Sequence, residues 1–360
     1  LGLERSALAV PPLEGWVASH DAALPVYAVV RAFRVRNPAH ELVAAKAIAQ
    51  ATGKFVTLSH ELSGELDAPK RAVTALLNAR LVPLIGQLIA AVESSMGQLG
   101  IDCPLMVMRG DGSLVSSEFV KTRPIETILS GPAASAIGAV ALNSVADGVI
   151  VDIGGTTTDV AIISGGLPIS GPAGANVGGH ETMVSAIRVH TEGVGGDSHV
   201  QPSPLDDQPL SVGPRRVTPL VVACLERPAV LAMLNEQHSR SAPREGDGIY
   251  LWLIERNPHP KPRSSAEAAV ISALEGRNGG GQYGEVITSG LQRNALNRLM
   301  GAGFVGATAF TPTDAAHVLG IDDRYDPEVA YLAADLLARH LDRFGEPLAE
   351  SGPILADLVI

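Results

Sequence analysis

Aromatic residues are scarce. Phe, Trp and Tyr make up 4% of the 360-residue sequence, so any core must be packed from Ala, Val, Leu and Ile. Cores of that kind are common where β-branched strands are covered by Ala- and Leu-rich helices. Cysteine is scarcer still. The two present, Cys103 and Cys224, exclude a disulfide framework and make a reducing, cytoplasmic setting the default. Neither has a histidine pattern beside it, so each reads as a buried thiol. Positive charge is in deficit: 27 Lys and Arg face 38 Asp and Glu, a net charge of −11. A nucleic-acid backbone would be repelled, which argues against that partner. No apolar run reads as long and clean enough to span a bilayer. Leu1-Gly2-Leu3-Glu4-Arg5 has no signal-peptide character, and the missing Met points to a fragment or a processed piece.

What is present suggests an α/β enzyme. Apolar residues reach 46%, and a chain of 360 residues makes two or three lobes at roughly 100–200 residues each. Strands are expected at 26–31, 55–59, 105–108, 149–152, 158–163 and 249–254, with a weaker one at 303–310. Helices are expected from Asn37-Pro38 to about Thr52 with Gly53 as the stop, and at 131–145, 226–240, 264–275, 291–300 and 327–344, with another near Asp314. Residues 69–100 carry helix-period apolar positions interrupted by Pro83, which predicts two helices or one bent one. Gly165-Gly166 is a hairpin signal. Residues 171–213 read as loop, and Gly279-Gly280-Gly281 as an internal linker.

The sharpest feature is Asp152-Ile153-Gly154-Gly155-Thr156-Thr157-Thr158-Asp159, set between two β-branched runs. A strand delivers a carboxylate, two glycines turn the chain, and hydroxyls lead into the next strand. Without a Cβ, glycine lets backbone N–H groups approach an anion, and threonine hydroxyls can add to the cradle. Gly154, Gly155, Thr156, Thr157 and Thr158 are therefore candidate phosphate-binding residues. Asp152 and Asp159 are hard oxygen ligands for Mg²⁺, directly or through water, and are the candidate catalytic carboxylates. The bland reading is a plain hairpin, which does not require Asp on both sides of the turn.

That octapeptide resembles the phosphate hairpin of the superfamily containing actin, hexokinase, acetate kinase and the heat-shock chaperones. Just before it, Ser130-Gly131-Pro132-Ala133-Ala134-Ser135-Ala136 is similar to the superfamily's small-residue crossover helix. Within the superfamily, several stretches resemble the hydantoinase A/oxoprolinase family, which includes 5-oxoprolinase large chains and acetone carboxylase subunits. They are Asn37-Pro38-Ala39-His40-Glu41, Ser59-His60-Glu61, the run from Arg71 to Ala79, Gly193-Val194-Gly195-Gly196-Asp197-Ser198, and Thr311-Pro312-Thr313-Asp314. The resemblance is good over 26–213, patchy to 301, and returns near Thr311.

It implies an actin/hexokinase-like (ribonuclease H-like) two-lobed ATPase fold, with 1–129 as the remainder of a first lobe and 130–360 as crossover helix and second lobe. Nothing before Leu24 resembles the family's first Asp-x-Gly-Gly-Thr hairpin, and more of the second lobe is expected after Ile360. It implies ATP and Mg²⁺ as cofactors and a cyclic amide or other small carbonyl compound as substrate, such as 5-oxoproline or a hydantoin. A second hydantoinase-type subunit is the implied partner. Gly195 and Gly196 join the nucleotide-binding set. Asp197 stands where the family is usually richer in glycine, and would either repel phosphate or recruit a metal.

Two other functions remain open on this fold: a small-molecule kinase, or a non-catalytic, assembly-forming actin-like protein. His180, His190 and His199 with Asp197 could form a metal site, though their spacing is irregular. His40/Glu41 and His60/Glu61 are either acid–base groups or hydrogen-bonding residues. Lys261-Pro262-Arg263 reads as a solvated loop.

Overall fold

The computed structural model describes residues 8–20, 24–32, 37–144, 146–171, 174–203, 208–255, 261–342 and 344–360. The N-terminal run from Leu1 to Arg5, and Val145 at the end of the expected small-residue helix, lie outside them. The chain is mixed α/β and divides into two compact units. The first comprises Leu1–Asp152 and Asp159–His190, the second Ile153–Thr158 and Thr191–Ile360.

The first unit contains a helix the sequence reading passed over, Val10–His20, which packs on Ala39–Thr52. The latter connects two parallel strands, Tyr27–Val29 and Val56–Leu58, since parallel neighbours need a crossover between them. Val17, Tyr27 and Ile48 form the small core there. Gly53 ends the helix as expected: at φ 68° its N–H reaches the Ala49 carbonyl, a left-handed cap open to a residue without Cβ.

Pro83 does not split the next helix, which runs unbroken over Ala68–Gln98 with Asp67 capping it through the Lys70 N–H. Among the described residues this helix is long and apolar enough, by length and composition alone, to cross a membrane. That corrects the expectation that no apolar run is long and clean enough to span a bilayer, since the helix carries Pro83 without breaking. Its first half buries Arg71, Thr74 and Asn78, while Leu84 and Leu88 in its second half are exposed.

The helix Ser130–Asn143 buries Ala133 and Ala136 against Ala161, Ile163 and Ile187. The strands Gly148–Ile153 and Thr158–Ser164 are neighbours in one sheet. Residues 154–157 join them, and so short a connection can only reverse the chain. Gly165 and Gly166, at φ 59° and 77°, then turn into Leu167–Pro168, which pairs antiparallel with the preceding strand.

In the second unit the order of the main sheet is Thr218–Pro219, Val305–Ala309, Tyr250–Leu253, Gly280–Gln282. Val305, Ala307 and Ala309 face a core built with the helices Ser265–Glu275 and Gly290–Gly301. A second core gathers Leu220–Glu226, Pro228–His238, Pro312–Val318, Pro327–Ala338 and Gly352–Val359. Helix starts are set locally: Ser264 and Ser289 accept the N–H three residues on, and Thr311 and Asp314 form a reciprocal capping box.

Three expectations need correction here. The helix read at 226–240 is shorter, Pro228–His238, and a separate helix, Leu220–Glu226, precedes it across Arg227. The stretch read as loop contains an antiparallel pair, Ser198–Pro202 with Leu210–Arg216, whose register shifts between Ser198 and Val200 and so hides the alternation. The glycine linker is instead the strand Gly280–Gln282 paired with Tyr250–Leu253. A Cβ on Gly280 would lie 2.6 Å from the Tyr250 hydroxyl, so glycine serves close approach there and not flexibility.

Candidate functional site

The Ile153–Thr158 turn is built by backbone hydrogen bonds. Gly154 N–H donates to the Thr157 carbonyl at 2.9 Å and closes it. Residues 193–198 then brace it from one side. Gly196 N–H donates to Gly154 O at 3.0 Å and Asp197 N–H to Gly155 O at 2.8 Å. The Thr158 hydroxyl reaches Val194 O at 2.8 Å. Thr313 N–H donates to Gly196 O at 3.0 Å, adding the start of the helix Pro312–Val318. Closeness demands the glycines. A Cβ on Gly155 would lie 2.9 Å from Asp197 Oδ2, one on Gly195 2.5 Å from Gly154 O, and one on Gly196 2.7 Å from Thr313 Oγ1.

Against this assembly lies a cavity of about 980 Å³, all of whose lining belongs to the second unit. Gly154, Gly155, Gly196 and Asp197 contribute the glycine side. Arg215, Arg216 and Arg324 bring cations, and Val217, Met300 and Val305 bring apolar surface. Arg216 pairs with Asp197 at 2.7 Å. Arg324 clamps Asp322 and holds its carboxyl well below the usual carboxylate range. Arg215 donates to Asn297 Oδ1 at 2.9 Å, and Asn297 also lines the cavity. The sequence reading named none of these arginines. Only the adjacent Arg215-Arg216 in an acidic chain could have drawn attention to them.

Of the residues singled out from sequence, Gly154, Gly155 and Gly196 line the cavity. Asp152, Thr156, Thr157, Thr158, Asp159 and Gly195 do not. Gly195 and Gly196 were expected to offer N–H groups to phosphate, but both are committed. Gly195 donates to Ser198 Oγ at 2.9 Å and Gly196 to Gly154 O. Their role in the structure is to brace the turn. The N–H groups of Gly155 and Thr156, both exposed residues, make no hydrogen bond among the described residues. The charge of Asp197 is answered by Arg216.

No group of three His, Cys, Asp or Glu converges as a metal cage among the described residues, so His180, His190, His199 and Asp197 are not brought together. His199 is buried in the strand Ser198–Pro202, and burial together with the Arg215 charge pushes its pKa down to about 4. One member of each His-Glu pair meets the other: the buried Glu41 carboxylate meets His60 Nδ1 at 2.9 Å, and also accepts from Ser59 Oγ. Cys103 is exposed, contrary to the buried reading, while burial of Cys224 pushes its thiol up to about 12 and leaves it inert. Lys261, Pro262 and Arg263 form an exposed loop, as read.

Residues 71–233 match the model of the hydantoinase/oxoprolinase family, a span that includes the hairpin and the loop bracing it. That match covers just under half of the 360 residues, and over it the chain is similar to the hydantoinase/oxoprolinase family. The chain is 32% identical to the caprolactamase subunit alpha of Pseudomonas jessenii over 186 residues, which is 50% of this chain and 26% of that subunit. Its fold is that of the ATP-dependent caprolactamase crystal structure from the same organism, with a TM-score of 0.53 at 21% identity, covering 83% of this chain and 42% of that one. The nucleotide-free acetone carboxylase structure overlaps 57% of this chain and 29% of its own, at 20% identity and a TM-score of 0.47. The chain thus spans about a quarter of the curated caprolactamase subunit it matches.

Proposed function

We propose that this chain is the nucleotide-handling part of an ATP-dependent enzyme that opens a cyclic amide by phosphoryl activation of its carbonyl. The observation that carries the reading is the braced glycine turn at the wall of a nucleotide-sized, arginine-bearing cavity. The free N–H groups of Gly155 and Thr156 suit phosphate oxygens, and a cavity with basic residues suits a polyanion. Asp152 and Asp159, at the two ends of the turn, fit the one or two carboxylates through which Mg²⁺ is ordinarily held, phosphate and water completing its shell.

An amide resists water because its nitrogen is a poor leaving group. Bound ATP supplies a γ-phosphoryl group that can be transferred to the amide oxygen, releasing ADP. Water then adds to the activated carbon, the C–N bond breaks with protonation of nitrogen to leave an acyl phosphate, and a second water cleaves that to inorganic phosphate and the ring-opened acid. Positioning and charge neutralisation do most of the catalysis in phosphoryl transfer, and the turn and its carboxylates would provide both. The names of the caprolactamase relatives favour a lactam, 5-oxoproline or a hydantoin as substrate, and a subunit-alpha relative favours a partner subunit. The same reading takes the fold as actin-like, with lobes at 1–129 and 130–360, and places the protein in the cytoplasm, which two free cysteines suit.

Isothermal titration with Mg-ATP, followed by phosphate release with and without 5-oxoproline, a hydantoin or caprolactam, tests it. The expected result is saturable nucleotide binding, and phosphate release that one cyclic amide stimulates in step with ring-opened acid. Asp152→Ala should lose turnover and keep its melting temperature. A stable phosphorylated product would favour the kinase reading, and absence of nucleotide binding the non-catalytic one.

A further inference from the structure

A second cavity, of about 350 Å³, also lies wholly within the second unit. It is bounded by the strand Ser198–Pro202, the helices Gly290–Gly301 and Pro327–Ala338, and residues 245–249. Its size is at the small end of ligand pockets. The apolar part of its lining includes Leu220, Leu296, Phe310 and Leu336, all core residues.

The polar groups on the lining can be counted off against their partners. Arg293 pairs with Glu245 at 2.7 Å. Asp247 pairs with Arg240 at 2.9 Å and accepts the Arg244 N–H at 2.8 Å. The two ring nitrogens of His340 lie at the Leu336 and Arg244 carbonyls. Gln201 is exposed and Tyr283 bonds Arg293, which leaves two groups. His199, 7% exposed, makes no side-chain hydrogen bond among the described residues. Arg215 bonds only the neutral amide of Asn297 and has no carboxylate partner among the described residues. Buried polar groups are ordinarily satisfied, so an unpartnered imidazole on a cavity wall marks a place for a ligand atom. Arg215 acts on His199 electrostatically and helps keep it neutral, so the ring offers one donor and one acceptor beside one uncompensated positive charge.

We propose that this cavity binds a small organic acid, its carboxylate held by Arg215 and the His199 ring, and its short aliphatic chain or single ring lying on Leu220, Leu296, Phe310 and Leu336. The guanidinium fork matches a carboxylate, while the closed ion pairs of Arg293 and Asp247 leave no second charge for a dianion or an ammonium group. Arg215 and Asn297 line the first cavity as well, but His199 and the apolar floor belong to this one alone, and the test uses no nucleotide.

Titration of the whole chain with hexanoate and benzoate, against acetate and hexanamide as controls, decides the matter. Hexanoate and benzoate should saturate one site. Acetate, lacking the apolar body, and hexanamide, lacking the charge, should bind about tenfold more weakly or worse. Arg215→Gln should weaken hexanoate by about tenfold and leave hexanamide unchanged. Ala333→Leu, which narrows this cavity and leaves the first untouched, should abolish hexanoate binding. Should that variant fail to fold, the His199 ring resonances of the native protein must shift on adding hexanoate. Absence of saturable hexanoate and benzoate binding, equal binding of acetate, an unchanged Arg215→Gln variant, or unshifted His199 resonances would each overturn the proposal.

Discussion

Glu41 and His60 meet in the interior of the first unit, with the wholly buried carboxylate 2.9 Å from the imidazole Nδ1. The same carboxylate accepts the Arg31 N–H at 3.0 Å, the Ser59 hydroxyl at 2.8 Å and the His60 N–H at 3.1 Å. Arg71 completes the network by donating to the Arg31, Glu65 and Leu66 carbonyls. Four donors aimed at one carboxylate tolerate no donor in its place. Glu41→Gln should therefore destabilise by about 1–3 kcal/mol, because its amide N–H₂ must face another donor. An unchanged urea midpoint would show that the network is not held through Glu41.

Ala133 and Ala136 carry the close packing of the small-residue helix, while Ala134 between them is exposed. Ala133→Leu should destabilise by about 1–3 kcal/mol through overpacking against Ala161 and Ile163. Ala134→Leu should change stability by no more than about 0.5 kcal/mol. Paired denaturation curves check this, and equal losses would count against the packing described.

Gly155 and Asp197 compete for the same space. Gly155→Ala places a methyl 2.9 Å from Asp197 Oδ2 and should displace the carboxylate from Arg216. The expected loss is about 1–3 kcal/mol, with weaker nucleotide binding. Adding Asp197→Gly should restore most of the stability, since neighbours in contact are not additive. A double-mutant cycle measures the coupling, and a value near zero would sink the idea.

His199 makes the second unit sensitive to acid. Its folded pKa, about 4, lies below the ordinary 6.5 because of burial and the Arg215 charge. Between those values the unfolded chain binds a proton that the native state refuses. Stability from this group is therefore complete above about pH 6.5 and is lost as pH falls toward 4, by a total on the order of 3 kcal/mol. Asp314 runs the other way, since burial pushes it up to about 6. The informative quantity is thus the native curve minus that of His199→Leu, in which Asp314 cancels. A pH-independent difference would rule out a neutral buried imidazole.

The glycine turn was legible because both its strands and its glycines are adjacent in sequence. Gly53, Ser264 and Ser289 mark helix ends by chemistry that needs no distant partner. The far wall of the cavity was not legible. Arg216, Asn297 and Arg324 come from separate elements, and nothing local in the chain says that they converge. The pairing of Glu41 with His60 was hidden for the same reason: the two sit on different helices, and only the fold selects that pairing over the sequence-adjacent one.

The path of the chain limits how the gene can be cut. The second unit takes its glycine turn, Ile153–Thr158, from the middle of a hairpin whose strands continue in the first unit, and it resumes only at Thr191. A truncation beginning at Thr191 would carry the loop 193–198 and most of the cavity. It would, however, strip the Gly196 and Asp197 N–H groups of their acceptors on Gly154 and Gly155. No single cut point yields the second unit free of first-unit residues. A recombinant second unit has to begin upstream of Ile153, or have that hexapeptide grafted back through a designed connection.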